Sequence, residues 1–564
     1  MEAGEIYLQW RDRLKEYKSI QHELEEIKGN TEEIEDRFCK ELEFGTAGLR
    51  GKLGAGTNRI NEVVVGRVTQ GIADFISDKG KDYKQRGVVI AYDCRHFSKE
   101  FAVLSAEVLA ANGINVFIFE SLRPTPELSY AILQLKAAAG INVTASHNPK
   151  QYNGYKVYWE NGAQVLEDIA DGMSEKISQV NMFEGAVRID FDKAVDEKII
   201  TVLSEKMDRD YMNLVKSLAI RDGAELEKTI PIVYTPLNGA GSKPVKTILE
   251  ERGFSNVHIV PEQEYPDPDF TTVGYPNPED RNAFDLAEKL GADVGAEVLI
   301  ATDPDADRMA VEVQDQNGNY IALNGNQTGV ILIHYLLEGL KAAGKIPERP
   351  AMIKSIVTGD MGTTICKAYG VEMFETLTGF KNICGKIPEL ERNGFQYLFG
   401  YEESIGYAIS DEIRDKDGIS AAMFVCEAAA FYKKQQKTLL QVLYELYEQY
   451  GYYKEEQVSL VLEGIAGARR IERMMEAFRA GDYDEFGGFN VEEVIDYHKG
   501  YKDISKSNVL KFVLENEIWF SVRPSGTEPK VKLYFYAKGE TEEEAVTSIQ
   551  KVREDVWEQL NQVQ

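Results

Sequence analysis

A short β-branched run, a polar or glycine-bearing turn, a helix, a glycine and a second apolar run recur three times along this chain. The first copy is Gly87 to Asp93, a helix through Leu104 to Leu109, then Gly113 to Phe119. The second is Ile230 to Thr235, a helix through Val245 to Leu249, then Gly253 and Val257 to Val260. The third is Met352 to Val357, a helix around Ile365 to Tyr369, then Gly370 to Phe374. Strand, helix and strand at this spacing form a βαβ unit, so three copies predict three related α/β domains. The copies share pattern and hardly any sequence.

The two ends differ. The first forty residues are charged, with Ile6, Leu8, Trp10, Leu14 and Tyr17 spaced for one helical face. Residues 451 to 510 are polar and glycine-bearing. The runs 512–514, 518–522 and 531–536 then precede an amphipathic helix with Val546, Ile549, Val552 and Val556, which predicts a smaller α+β domain. A length of 564 residues suits about three to five domains. The expected division is 1–207, 208–325, 326–450 and 451–564.

Composition removes several classes. Acidic residues number 93 against 64 basic ones, a net charge of −29, which argues against nucleic acid or an anionic membrane as the partner. A cleft can still gather a few Arg and Lys for a small anion. The longest strongly apolar stretch, Val330 to Leu337, falls far short of the ~20 residues that span a bilayer. The N-terminus lacks the basic and apolar regions of a signal peptide. Five scattered cysteines without a Cys-x-x-Cys pair suit free thiols, and six histidines with none at i,i+4 give zinc little to build on. The expectation is a cytoplasmic protein with no obligate protein partner.

The sharpest motif is Ala301-Thr-Asp-Pro-Asp-Ala-Asp-Arg308, directly after an apolar strand. Asp303, Asp305 and Asp307 repel one another unless a cation neutralises them, and oxygen ligands select a hard ion. An EF-hand is excluded, because its sixth and twelfth positions hold Arg308 and Gln314 instead of glycine and glutamate. Three protein oxygens leave open positions for a phosphate oxygen. A solvated acidic turn is the plainer alternative. Thr144-Ala-Ser-His-Asn-Pro149 leads into Asn153-Gly-Tyr-Lys156. Alone, its serine reads as a helix cap. A serine near a divalent cation and Lys156 can instead carry a phosphoryl group.

Three further loops are weak individually. Arg523-Pro-Ser-Gly-Thr-Glu-Pro529 offers a guanidinium fork, hydroxyls and turn N–H groups to phosphate, with Lys532 on the next strand. Gly400-Tyr-Glu-Glu-Ser-Ile-Gly406 sets Glu402 and Ser404 where sugar hydroxyls would find partners, and Arg414-Asp-Lys-Asp-Gly418 carries Lys416 among acids. Phe44-Gly-Thr-Ala-Gly-Leu-Arg50 and Asp93-Cys-Arg95 read as loops.

Together these motifs resemble the α-D-phosphohexomutase family, and most of all its larger phosphoglucomutase and phosphopentomutase branch. In order they look like its arginine loop (Thr46 to Arg50), phosphoserine loop (Thr144 to Pro149), metal loop (Asp303 to Arg308), sugar loop (Glu402 to Ser404) and phosphate loop (Arg523 to Thr527). The departures are Pro304 and Ala306 in the metal loop, Tyr401 before the sugar-loop glutamate, and Asn238 where relatives often have histidine.

The resemblance implies an α/β fold of four domains around a central cleft, three α/β units and a C-terminal α+β domain. It implies a phosphate carried on Ser146 and Mg²⁺ on Asp303, Asp305, Asp307 and the serine. Substrate would meet Thr378, Lys381, Glu402, Ser404, Lys416, Arg523, Ser525, Gly526, Thr527 and Lys532. Lys156 is the expected proton carrier, with Arg50, His147 and Arg308 at the transferring phosphate. The implied reaction interconverts glucose 1-phosphate and glucose 6-phosphate, with glucose 1,6-bisphosphate as intermediate and activator. A pentose or mannose phosphate is the nearer alternative, a sugar-phosphate phosphatase the more distant one.

Overall fold

The structure, a computed structural model, describes residues 2–46, 48–462, 464–524 and 530–563. Its first sheet holds β1 (Leu49–Lys52), β2 (Val88–Tyr92), β3 (Val116–Phe119), β4 (Ala139–Val143), β5 (Tyr152–Trp159) and β6 (Ile200–Leu203), in the order β1-β5-β4-β2-β3-β6. Its second holds β7 (Ile232–Thr235), β8 (Val257–Ile259), β9 (Val298–Thr302), β10 (Met309–Gln314) and β11 (Tyr320–Leu323), in the order β11-β10-β9-β7-β8. Its third holds β12 (Pro350–Ser355), β13 (Glu372–Thr376), β14 (Gln396–Glu402) and β15 (Gly406–Ala408), in the order β13-β12-β14-β15.

One plan underlies all three. A central strand (β2, β7, β12) lies parallel to the next strand in sequence on one side and to the third (β4, β9, β14) on the other. That third strand then turns back into an antiparallel partner (β5, β10, β15). The central strands are buried along their whole length, as parallel strands covered on both faces must be, which explains the apolar runs Val88 to Ala91, Ile232 to Tyr234 and Ala351 to Ile353. The loop joining the third strand to its antiparallel partner carries Ser146 in the first unit, Asp303 to Arg308 in the second, and Glu403-Ser404-Ile405 in the third. Three motifs unrelated in sequence thus occupy one topological position, at the carboxyl ends of parallel strands, where open α/β sheets bind ligands.

The fourth sheet is antiparallel throughout: β16 (Tyr452–Val461), β17 (Glu485–Phe486), β18 (Phe489–Asp496), β19 (Leu510–Leu514), β20 (Ile518–Pro524) and β21 (Lys530–Gly539), in the order β16-β21-β20-β19-β18-β17. Helices Gly464–Ala480 and Glu542–Gln562 bury Met474, Phe478, Val552 and Val556 against one face. The other face docks on the third unit: Trp519 Nε1 donates to Asp360 Oδ2 at 2.7 Å, and Lys511 Nζ donates to the Ile356 carbonyl at 3.0 Å. Side chains alternate along a strand, so the Trp519–Tyr536 pair that seats the sheet fixes the Arg523–Lys532 pair four residues further along on the same face.

The structure refines four points of the sequence reading. Residues 451–510 hold β16, a helix, β17 and β18. β16 hid because it is an edge strand, bonded only to β21 and rich in Lys and Glu, as exposed edges are. The N-terminal segment is three helices, Ala3–Arg13, Lys18–Glu26 and Thr31–Phe38. Its first helix and the Leu14 that caps it bury Ala3, Tyr7, Trp10 and Leu14, an i, i+4, i+7, i+11 face that leaves Leu8 53% exposed. Arg50 stands on edge strand β1, opposite Gly154, instead of in a loop. The helix Glu205–Ser217 also runs across residue 207.

Glu312 on β10 is buried, and its Oε2 has no hydrogen-bond partner. Burial and then the neighbouring Glu288 carboxylate push its pKa up to about 8 from an ordinary value near 4.5. The folded protein therefore keeps a proton that the unfolded chain has already lost. Stability from this group is present below pH 4.5 and drains away as pH rises to about 8. Glu312→Gln should gain stability relative to the parent across that window and hold the gain above it, read from urea unfolding at several pH values.

Candidate active site

Asp93, at the end of β2, anchors the serine loop from beneath. Its Oδ1 accepts from Ser98 Oγ at 2.7 Å and the Arg95 N–H at 2.9 Å, while Oδ2 accepts from Thr144 Oγ1 at 2.6 Å and pairs with Arg95 Nε at 3.1 Å. Arg95, fully buried, sends its two terminal nitrogens to the carbonyls of Ser146, Asn148, Pro149 and Tyr152. Four carbonyls converging on one guanidinium give the loop a single conformation. Ser146 takes φ = 52°, the left-handed region that costs a non-glycine residue about 1–2 kcal/mol. Strain of this kind persists only where surroundings over-determine the backbone.

That conformation turns Ser146 Oγ to the second unit, where it donates to Asp303 Oδ2 at 2.6 Å; His147 Nδ1 lies 3.1 Å from the same oxygen. Asp303, Asp305 and Asp307 are all buried, with one oxygen from each lying within 4.8 Å of the others. Two cations brace the trio. Lys156 Nζ, from β5, donates to Asp305 Oδ2 at 2.7 Å and Asp307 Oδ2 at 3.2 Å, and Lys416 Nζ pairs with Asp307 Oδ2 at 3.0 Å. Thr125 Oγ1 adds a donor to Asp305 Oδ2 at 2.8 Å. Asp305 Oδ1 and Asp307 Oδ1 remain buried without a hydrogen bond. Buried carboxylate oxygens with no donor are what a hard divalent cation would satisfy, so the donor set fits magnesium.

Electrostatics sort these groups. Burial, then repulsion from Asp305 and Asp307, raises Asp303 well above the carboxylate range. Burial pushes Asp307 up too, but Lys156, Lys416 and Arg308 overcome it and hold it far down. Burial opposes the charge on Lys156, and the two aspartates outweigh that and raise it. Burial, then Arg308 and Arg50, lowers His147 well below its usual value and leaves a neutral imidazole.

A cavity of 350 Å³ opens from His147 and Arg308 toward the third and fourth units. Thr378, Glu402 and Ser404 line it from the third unit, and Arg523 and Lys532 from the fourth. Ser525, Gly526 and Thr527 lie outside the described residues. Arg50 approaches the serine loop, with Nη1 donating to Asn148 Oδ1 at 3.0 Å. Lys381 does not line the cavity: its Nζ donates to Thr46 Oγ1 at 2.6 Å and Glu167 Oε1 at 3.1 Å, clasping the third unit to the first. Glu402 Oε1 accepts the Gly379 N–H.

Several residues escaped the sequence reading. Arg95 was visible only as the end of a strand-terminal Asp-Cys-Arg turn. Glu403, beside Glu402, accepts from Thr358 Oγ1 at 3.0 Å; burial and then Glu402 push it up to about 7. Tyr275, Asn277 and Glu279 line the cavity from a proline-flanked segment that carried no recognisable signal.

Comparison with known proteins points to one family. The phosphoglucomutase/phosphomannomutase alpha/beta/alpha domains I, II and III match residues 41–182, 209–318 and 324–450, and the family's C-terminal domain matches 469–551. Phosphoglucomutase of Staphylococcus haemolyticus is 36% identical over 535 residues, 93% of this chain and 94% of its own. That of Staphylococcus aureus (strain MRSA252) is 35% identical over 520 residues, 90% of this chain and 92% of its own. Among solved structures, the Paramecium phosphoprotein pp63/parafusin, a phosphoglucomutase in its open form, shares the fold with a TM-score of 0.70 at 19% identity, covering 93% of this chain and 96% of that one. Four family domains in order, and relatives 35–36% identical over nine-tenths of the chain, make this chain a member of the phosphoglucomutase/phosphomannomutase family, an isomerase of the phosphotransferase kind.

Proposed function

We propose that the protein interconverts glucose 1-phosphate and glucose 6-phosphate through a phosphoryl group carried on Ser146 and a glucose 1,6-bisphosphate intermediate. The observation that carries the reading is the 2.6 Å contact between Ser146 Oγ and Asp303 beside a polar cavity ending at Arg523 and Lys532. The sugar preference follows from the curated relatives, which bear the name phosphoglucomutase.

In this reading Arg523 and Lys532 anchor the substrate's own phosphate, with Ser525, Gly526 and Thr527 beside them, while Glu402, Ser404 and Thr378 meet ring hydroxyls. The free sugar hydroxyl attacks phosphorus as the bond to Ser146 Oγ breaks. Lys156, held charged by its carboxylates, gives a proton to the departing serine oxygen, and neutral His147 takes the proton of the attacking hydroxyl. Arg50 and Arg308 neutralise the equatorial oxygens. The bisphosphate turns over and returns its other phosphoryl group to Ser146. Magnesium, held by Asp303, Asp305 and Asp307 with an oxygen at Ser146, would supply charge neutralisation and polarise the transferring group. The cavity's anchors come from separate units, so closure of the fourth unit excludes water.

The test is an interconversion assay with glucose, mannose and ribose 1-phosphates, each with its matching bisphosphate. Glucose 1-phosphate should give the highest kcat/KM. A preference for ribose 1-phosphate moves the protein to the pentose branch, and phosphate release without isomerisation makes it a phosphatase.

Among the described residues no helix is long and apolar enough to cross a membrane, and all five cysteines are free thiols. These support our placement of the enzyme in the cytoplasm, acting on small sugar phosphates. We also propose domain breaks near 325 and 450, where the sheets change, and near Ser204, ahead of the helix that crosses 207.

A further inference from the structure

The second unit sends two segments into the cleft. Besides the aspartate loop, Tyr275-Pro-Asn-Pro-Glu279 runs along the cavity wall. Its chemistry is unlike that of a solvated connection. Prolines at 276 and 278 fix φ near −65° at alternate residues. Asn277 is buried: its Oδ1 accepts the Glu279 N–H at 3.1 Å, its Nδ2 donates to Tyr275 Oη at 3.2 Å, and its carbonyl accepts the Asp280 N–H at 2.9 Å. The Tyr275 ring meets His147 edge-on at 6.3 Å, so the segment touches the residue next to Ser146. Glu279, at the end of this stiffened turn, pairs its Oε2 with Arg308 Nη1 at 3.2 Å.

Arg308 needs such a partner. Its backbone N–H donates to Asp303 Oδ1 at 3.0 Å, which tethers the residue to the aspartate trio. Its guanidinium stands in the field of Asp307, Asp303 and Glu402 as well as Glu279, and its Nε is buried without a hydrogen bond. A cation this close to three buried carboxylates is drawn onto them. It would then compete with the divalent ion and point away from the transferring phosphate. Glu279, which lines the cavity, pulls it there instead.

We propose that Glu279 is a positioning residue: it holds the Arg308 guanidinium in the cavity, facing the transferring phosphoryl group, and off the metal-binding carboxylates. This rests on the phosphoryl-transfer reading above. Glu279 touches no reacting atom; it acts through Arg308. The bracing of the 275–279 turn serves to keep one carboxylate at one place.

The test is Glu279→Gln, which keeps shape and removes charge, measured alone and in a double-mutant cycle with Arg308→Lys. Supporting partners of metal sites are worth about 10–100-fold in metal affinity or activity, and that is the expected fall in kcat, with KM for glucose 1-phosphate changing less than about threefold. The cycle should be strongly non-additive: once Arg308 is lysine, losing Glu279 should change kcat by less than about threefold. Calorimetric titration of the substrate-free protein with Mg²⁺ should show weaker binding in Glu279→Gln, because the released guanidinium neutralises the ligands, and Glu279→Asp should restore part of it. Unchanged kcat and Mg²⁺ affinity, or additive effects in the cycle, overturn the proposal; a rise in KM matching the loss of kcat/KM makes Glu279 a substrate contact instead. If the parent fails to isomerise any sugar phosphate, the function above falls, and the Mg²⁺ titration still decides the role of Glu279.

Discussion

Ser146→Ala should lower kcat for glucose 1-phosphate by a factor on the order of 10⁴ or more, the loss expected when a covalent carrier is removed from an otherwise intact site. The fold should survive it. Alanine tolerates φ = 52° no worse than serine does, and the four carbonyls held by Arg95 belong to the backbone. Only the Oγ contacts to Asp303 and His147 disappear. Glucose 6-phosphate should bind the variant within about threefold of the parent, since the proposed anchors Arg523 and Lys532 are half-buried cations on another unit, and a distant neutral change moves them little. Label from the 1- or 6-position of glucose 1,6-bisphosphate should appear on the peptide containing Ser146 in the parent and nowhere in the variant. Near-normal turnover in Ser146→Ala, or label on a different peptide, removes Ser146 as the carrier.

The contrast between what the sequence disclosed and what it withheld follows from range. A βαβ unit is written locally: Val88 to Tyr92, the helix Ser98–Ala111 and Val116 to Phe119 each show their period within a short window. The aspartate loop was legible because three alternating carboxylates behind an apolar strand repel one another and call for a neutralising cation. Ser146 and Asp303 stand 157 positions apart, and spacing alone does not bring them together. Family order did. The antiparallel return strand was harder still. It makes the Ser146, Asp303 and Glu403 loops equivalent, yet β5, β10 and β15 have different lengths and compositions, so the equivalence emerges only from pairing. β16 was invisible for another reason: an edge strand obeys solvent on one side, and its charged residues imitate a loop. Arg95 and Glu279 act by reaching across the chain, to residues 51–57 positions away for the first and 29 for the second, and single residues leave no periodic trace.

Magnesium should discriminate among the three aspartates in a way that mere acidity does not. Chelation should abolish turnover in the parent and Mg²⁺ should restore it, with a higher melting temperature in Mg²⁺ than in chelator, because a ligand that binds only the folded state stabilises it. Asp303→Asn and Asp307→Asn should both lose turnover and the Mg²⁺-dependent gain in melting temperature, yet they should move stability in opposite directions. Asp303 has no lysine partner; its oxygens accept from Ser146 Oγ and the Arg308 N–H, and an amide oxygen can keep one of those bonds while the repulsion from Asp305 and Asp307 ends. In chelator, Asp303→Asn should therefore melt at or above the parent. Asp307 pairs with both Lys156 and Lys416, so Asp307→Asn takes one carboxylate from two buried ammonium groups and leaves Lys156 on Asp305 and Lys416 on Asp415, a loss of about 1.5–3 kcal/mol. It should melt several degrees below the parent in the same buffer. An Asp303→Asn protein that keeps its turnover and its response to Mg²⁺ would mean that the cation sits elsewhere, and the chemistry assigned to the trio would have to move with it.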